Sequence, residues 1–544
     1  MDPIELPTPS PPPRRRLNSL HRAGMYLFLA VACFYLASMS QEVAWGDARP
    51  IYEVAESMLG GDGIGVATRW PSDAPQGKAN KFYAAQPWLT SLVHIPGAGI
   101  RQLMVHLKPS PEFAHLLSAF ACHLAGALLG GLTALLFFRL CLAHGASRRL
   151  ARYLALILAF ASIVWVYARS PFSEMAQITA FTGFFLALTT HLRTPGRRTA
   201  LIVGLCAGAL LNSKYIYALC LPGTAILMAW VERKTPRRIP AHALFCLLGL
   251  LPGIAMALLY NHLRFGSPWS SGYQVIGQVM VENPWLGLWG FFLSPGKSIF
   301  LYVPPLAMAV AGLPAFYRSH RLSTIAMALT ILPVLYFYAR FPSWPGDWAW
   351  GPRYAVFMVP TLLLPLVSFL ADARFGKRAL AIALVGAGLL VQLLGNAFYW
   401  DHFIRIAAEV RTQWLGAPNR RGAITADKGG FCEGCFEDTY PSVWLPPLQP
   451  IVGHAWLFRH VAFKHDAMKA MEDAPWRRHT KLPLELTNVY ARVRVDHFAY
   501  AMPLHTKTAA TLNLVLTGLG GLFIARFIRH SRDENNPPPA LPEA

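Results

Sequence analysis

Two carboxylates and a set of cations stand where long apolar runs meet short polar loops. Asp47 follows the first apolar run, in Trp45-Gly46-Asp47-Ala48-Arg49, and Glu174 follows Ala168-Arg169-Ser170-Pro171-Phe172-Ser173. Lys81, Lys214, Arg264, Lys297, Arg340 and Arg353 occupy comparable positions. A carboxylate held where a bilayer surface meets water is placed to act on a substrate whose reactive head lies at the interface and whose tail lies in lipid. Each residue also has a plainer reading. Asp47 could cap the helix starting near Pro50, Glu174 could complement a helix dipole, and the cations could snorkel or form ordinary ion pairs. Lys214 stands out, because Asn212-Ser213-Lys214-Tyr215 separates two apolar runs where a charge is costly unless paired or snorkelling.

The elements that must position these residues are membrane helices. The 544-residue chain is 54% hydrophobic and 14% charged, with mean hydropathy +0.35. A soluble chain would carry roughly a quarter charged residues. Here apolar runs of about 17–25 residues, long enough to cross a bilayer as helices, alternate with short basic or Pro/Gly-rich stretches. The net charge of +21 would suggest nucleic acid in a soluble protein. In this chain the charge gathers in alternate loops: Arg148-Arg149, Arg197-Arg198, Arg237-Arg238, Arg318 with Arg321, Lys377-Arg378, and Arg526 with Arg529. That is the positive-inside pattern, and nucleic acid is not an expected partner.

Helices are expected at 23–39, 112–141, 149–168, 173–192, 199–213, 214–231, 241–262, 298–316, 322–340, 352–371, 378–399 and 508–527. With about twelve crossings and the N-terminus inside, every basic loop falls on one face. The fold class is therefore an all-α polytopic membrane protein with about twelve spans. Residues 1–22, Pro-rich and basic, read as a disordered cytoplasmic tail, and the first helix reads as an uncleaved span because many spans follow it. The transmembrane module runs over 23–400, with outer loops at 40–111, 263–297 and 341–351. A small extracytoplasmic domain of mixed structure is expected over 401–507, then a last span at 508–528 and a cytoplasmic tail at 529–544. The segment 86–107, interrupted by Pro87, Pro96 and Gly97, could be re-entrant or spanning.

The first outer loop has a readable plan. Ile51, Val54, Ala55, Met58 and Leu59 fall at helical spacing, as in a surface amphipathic helix. Gly60-Gly61-Asp62-Gly63 ends it, and Lys78-Ala79-Asn80-Lys81-Phe82-Tyr83 leads toward the next apolar segment. A first membrane helix, an acid just beyond it, a surface helix ending at glycine and a Lys/Tyr/Pro entry together resemble the GT-C superfamily of integral-membrane glycosyltransferases. Further motifs are similar to its bacterial protein mannosyltransferase and lipid A aminoarabinose transferase group: Tyr260-Asn261-His262-Leu263-Arg264-Phe265-Gly266, Leu293-Ser294-Pro295-Gly296-Lys297-Ser298, and Trp344-Pro345-Gly346-Asp347-Trp348-Ala349-Trp350-Gly351-Pro352-Arg353-Tyr354.

The resemblance implies transfer of one sugar from a polyprenyl-phosphate donor to a glycolipid, polysaccharide or protein acceptor. It implies a multi-pass protein of the bacterial inner membrane with its active face extracytoplasmic. Such chemistry needs a base for the acceptor hydroxyl, positive charge for the departing phosphate and a groove for lipid. By resemblance Asp47 is the candidate base and Glu174 a second catalytic acid. Lys81, Arg353, Arg264, Lys214 and Lys297 are the candidate phosphate ligands, in that order, with Tyr83 and Asp347 as further substrate-binding candidates. Asp47 has Gly46 and Ala48 as neighbours rather than the second acid common in the family, so a divalent metal is compatible with the site and not required by it. Trp344, Trp348 and Trp350 read mainly as interfacial belt residues.

Six of the eight cysteines lie in or beside apolar spans and behave as small hydrophobes. Cys432 and Cys435, in Cys-Glu-Gly-Cys, are expected to form a local disulfide in an oxidising compartment. Two other classes stay open: a transporter or flippase of lipid-linked substrates, which would bury charges mid-span and show repeat symmetry, and an inactive scaffold of the same fold.

Overall fold

The protein is described from a computed structural model over residues 14–40, 48–66, 76–273, 283–341, 343–346, 349–371, 375–400, 403–404, 406–407, 440–462, 474–475 and 507–532. Its elements are α1 (Arg14–Ala37), α2 (Ala48–Gly60), α3 (Trp88–Leu92), α4 (Ile95–Leu107), α5 (Pro111–Ala143), α6 (Arg148–Phe160), α7 (Val164–Tyr167), α8 (Glu174–Arg193) and α9 (Arg197–Ser213). Next come α10 (Cys220–Val231), α11 (Ile239–Phe265), α12 (Pro284–Leu293), α13 (Ile299–Tyr302), α14 (Leu306–Ser319), α15 (Arg321–Ala339), α16 (Val359–Leu362), α17 (Leu366–Ala371) and α18 (Phe375–Ala397). Helices Tyr440–Trp444, Pro450–Ala462 and Lys507–Arg532 follow. Among the described residues there is no strand, only isolated bridges joining Val66 and Gln76 to Phe82.

The chain is an all-α polytopic membrane protein. Among the described residues, seven helices are long and apolar enough to cross a membrane. The other five expected spans are helical but shorter or broken, each for a local reason. Between α6 and α7 the Ser162 hydroxyl bonds back to Leu158 O and accepts from Val164 N. Pro304 and Pro305 separate α13 from α14, since proline lacks the N–H that would continue the ladder. After the 3-10 segment Arg353–Met358, Pro360 stands in the first turn of α16, and Pro365 separates α16 from α17. At Lys214 the backbone turns extended, and a 3-10 turn over Tyr215–Leu219 leads into α10. The segment 86–107 forms two short helices, α3 and α4. Helix α1 begins at Arg14, inside the expected disordered tail, because Leu20 already packs on the core.

Close helix contacts are made by small residues, as membrane helices require. Gly204 and Gly208 on α9 face Gly249 and Gly253 on α11. A Cβ at Gly204 would stand 1.9 Å from Cys246 O, and one at Gly253 would stand 2.5 Å from the Gly208 Cα. The Asn212 amide donates to Gly208 O and Gly253 O at 2.8 Å each, tying the same pair together. Gly204→Val is expected to lower stability by about 1–3 kcal/mol through overpacking, seen as a reduced unfolding midpoint in detergent. An unchanged midpoint would mean that the two helices are free to separate.

Candidate active site

Consecutive long helices alternate in direction, so their ends sort into two sets. One end of the bundle collects the basic loops. The other collects the start of α8 with Glu174, the end of α9 with Lys214, the end of α11 with Arg264, and the loops carrying Lys297 and Arg353.

At that end Glu174 and Arg353 form an ion pair, with Nε donating to Oε1 at 2.6 Å. Glu174 is 2% exposed and Arg353 8%. A carboxylate this dry persists only with a charged partner. Its second oxygen, Oε2, is buried and accepts no hydrogen bond among the described residues. Other buried polar atoms share this state, Trp344 Nε1 and Asn396 Oδ1 among them, but Oε2 belongs to a charged group beside Arg353 and is free to accept from a ligand hydroxyl. The Tyr338 hydroxyl is also buried without a partner among the described residues.

Aromatic rings hold the cations in place. The Arg353 guanidinium lies 4.7 Å from the Phe172 ring and 5.9 Å from that of Tyr354. Tyr354 stacks on Tyr338 with ring centroids 4.6 Å apart. The half-buried Lys214 ammonium sits 5.2 Å from the Tyr338 ring and 4.8 Å from that of Tyr354. The paired tyrosines therefore bring Lys214 beside Arg353 across 139 residues of sequence. On the neighbouring face of α8, the Tyr217 hydroxyl donates to Gln177 Oε1 at 3.0 Å, and the Gln177 amide to Ser173 Oγ at 2.9 Å. These bonds fix the first turn from which Glu174 projects.

Lys297 and Arg264, expected as phosphate ligands, are both fully buried and hold backbone. Lys297 Nζ donates to Ala349 O at 2.7 Å, anchoring the loop that leads to Arg353. Arg264 donates to Ala84 O and Gln86 O, to Asn261 Oδ1 at 2.8 Å and, from Nε, to Tyr260 O at 3.4 Å. It thereby clamps the entry to α3 against the end of α11. Asn261 Oδ1 also accepts from the Tyr215 hydroxyl at 2.9 Å, which links this clamp to Lys214. Tyr83 is buried against Phe265 and donates from its hydroxyl to Lys78 O, while Lys81 is exposed at the surface. Arg264→Met is expected to leave the described helices intact and loosen residues 84–86, read as faster amide exchange there; unchanged exchange would refute the clamp.

Two expected belt tryptophans are core residues. Trp344 and Trp350 are fully buried. Trp344 lies over Gly290, where an added Cβ would come 1.9 Å from its ring, and Trp350 packs edge-on to Tyr302 and against His454. Their depth comes from the loop folding inward over the bundle end. The exposed indoles there are Trp269, Trp285 and Trp289, placed as interfacial tryptophans are. Sequence reasoning passed over them, as it did Tyr338 and Tyr354.

The surface helix forms as α2. Ile51, Tyr52, Val54 and Ala55 are buried on the α3–α4 side, and Arg101 reaches Glu56 at 2.9 Å. It ends at Gly60, with Gly61 and Gly63 at φ +83° and +87°, a conformation that favours glycine. Asp47 lies outside the described residues, and α2 begins at the next residue, Ala48. Asp347, Trp348, Cys432 and Cys435 also lie outside them, as does most of 401–507.

No family model matches the chain, and no curated protein does. Among solved structures the fold is similar to two crystal structures of ArnT from Cupriavidus metallidurans. The one bound to undecaprenyl phosphate is 14% identical, with 88% of this chain and 85% of that chain covered and a TM-score of 0.43. The apo one is also 14% identical, with 88% and 84% covered and a TM-score of 0.42.

Proposed function

We propose that this chain is an integral-membrane glycosyltransferase that moves a sugar from a polyprenyl-phosphate donor to a glycolipid, polysaccharide or protein hydroxyl. The reaction takes place at the Glu174 end of the bundle, on the extracytoplasmic face of a bacterial inner membrane. One observation carries the reading: a dry Glu174–Arg353 pair with a bare carboxylate oxygen stands beside Lys214, at the end of a bundle of membrane helices. The geometry supplies what a lipid-linked phosphate sugar needs, namely fixed positive charge for the phosphate, an acceptor atom for a sugar hydroxyl, and apolar surroundings for the tail.

In this reading Asp47 takes the proton of the acceptor hydroxyl as its oxygen attacks the anomeric carbon. The bond from that carbon to the phosphate oxygen breaks, and its electron pair leaves with the polyprenyl phosphate. Arg353 and Lys214 stabilise the charge that builds there. Glu174 keeps Arg353 aimed and offers Oε2 to a sugar hydroxyl. Lys81, exposed near the interface, draws the anionic head inward, and Asp347 binds sugar hydroxyls. Attack opposite the leaving group inverts the anomeric centre.

The test is turnover by purified protein over a panel of polyprenyl-phosphate sugars, with nucleotide sugars as controls. Transfer or donor hydrolysis is expected with at least one lipid-linked donor and with no nucleotide sugar. No turnover across the panel, together with flux of a lipid-linked substrate in reconstituted vesicles, would replace the transferase with a transporter.

A further inference from the structure

Three metal-ligating side chains meet at the end of α8 opposite Glu174. They are His191 in the last turn of α8, Glu232 just after α10, and His242 in the first turn of α11. Their side chains are 0%, 3% and 9% exposed, and one donor atom from each lies within 4.8 Å of the others. His242 Nδ1 is hydrogen-bonded to Glu232 Oε1.

His191 is the informative member. Its Nδ1 lies 2.9 Å from Thr199 Oγ1. Thr199 has a single hydroxyl proton and donates it to its own segment, to Gly196 O at 2.9 Å or Thr194 O at 3.2 Å. When Oγ1 accepts from Nδ1–H in this way, Nε2 of a neutral imidazole is a bare lone pair. Nε2 is buried without a hydrogen-bond partner and points at Glu232 Oε1 from 3.5 Å. Two dry acceptors facing each other repel unless a cation lies between them, either a proton that makes His191 an imidazolium paired with Glu232 or a metal ion. Nitrogen and oxygen ligands on adjacent corners of a zinc tetrahedron stand about 3.4 Å apart, given bonds of about 2.0–2.1 Å; the His191–Glu232 separation matches this edge, whereas His242 Nδ1 bonds Glu232 Oε1 directly, a hydrogen bond that an incoming ion would replace. Thr199 is also the kind of outer partner that orients a ligating imidazole.

We propose that His191, Glu232 and His242 bind one divalent transition-metal ion of the zinc class, with water in the fourth position. Two imidazoles and a single carboxylate favour zinc over magnesium or calcium, which take mostly oxygen ligands. The basic loops around the site, with Arg233, Arg237 and Arg238, also work against a weakly held hard cation. The ion ties together the ends of α8, α10 and α11. The far ends of α8 and α11 carry Glu174 and Arg264, so the ion fixes from behind two helices that frame the proposed active site. The assignment stands independently of the glycosyltransferase reading.

The experiment uses full-length protein without a polyhistidine tag, stripped with a chelator, reloaded with Zn2+ or Co2+ and desalted. The expected results are about one ion per chain by elemental analysis, visible absorption typical of tetrahedral Co2+, and a Tm raised by about 3 °C or more with Zn2+ but not with Mg2+. His191→Gln should lose the ion. Reloaded wild-type protein that retains no metal overturns the proposal, with no need for any variant to fold. Metal retained equally by the His191→Gln/His242→Gln double variant overturns it too.

Discussion

Arg353→Met is expected to destabilise the protein by about 3–5 kcal/mol and to abolish turnover. Removing one partner of a buried pair leaves the other charge uncompensated, and that is far costlier than losing the pair as a unit. Glu174 is 2% exposed, and its described hydrogen bond comes from Arg353. The Phe172 ring loses its cation as well, while Tyr354 keeps Lys214. The double variant Glu174→Gln/Arg353→Met removes both charges, so most of the stability should return while turnover stays absent. Unfolding midpoints of the two variants in one detergent separate these contributions. A single variant within about 1 kcal/mol of wild type would mean that the pair is not dry in the folded protein.

Asp47→Asn is expected to lower kcat by about 10²–10⁴-fold with donor affinity unchanged, the usual contribution of a positioned general base. The substitution distinguishes the two readings of this residue. Helix α2 begins at Ala48, so Asp47 precedes it in the sequence as an N-cap would. Asparagine caps a helix about as well as aspartate does but cannot take a proton from a hydroxyl. If Asp47 only caps α2, Asp47→Asn keeps full activity; if it is the base, the rate falls while the unfolding midpoint holds. Single-turnover kinetics on the variant, beside its melting curve, decides between them.

The helical course was legible because local rules govern it. Basic residues in alternate loops set the direction of the spans, and the separation at Lys214 was visible as a charge between apolar runs, whereas 298–316 and 352–371 read as single helices although prolines interrupt them. The α2 helix and its glycine stop followed from periodicity and turn chemistry. What sequence could not supply were pairings made across the fold. Glu174 meets Arg353 across 179 residues, and nothing local to either names the other. Arg264 and Lys297 looked like anion ligands because they are cations at span ends, yet each donates to distant backbone carbonyls. Trp344 and Trp350 looked interfacial for the same reason of position, and the inward fold of their loop buries them. His191, Glu232 and His242 form no motif in sequence, since three helix ends assemble them.

The most direct measurement is the affinity of a polyprenyl phosphate without its sugar for wild-type protein and for Lys214→Met. Lys214 is half-buried beside the Glu174–Arg353 pair and held over two stacked tyrosine rings, and its loss leaves that pair intact. Charge-assisted contact with a phosphate contributes enough that affinity should fall about tenfold to a hundredfold, with the unfolding midpoint little changed. Equal affinity in the two proteins would contradict the placement of the phosphate at this end of the bundle, and with it the proposed site.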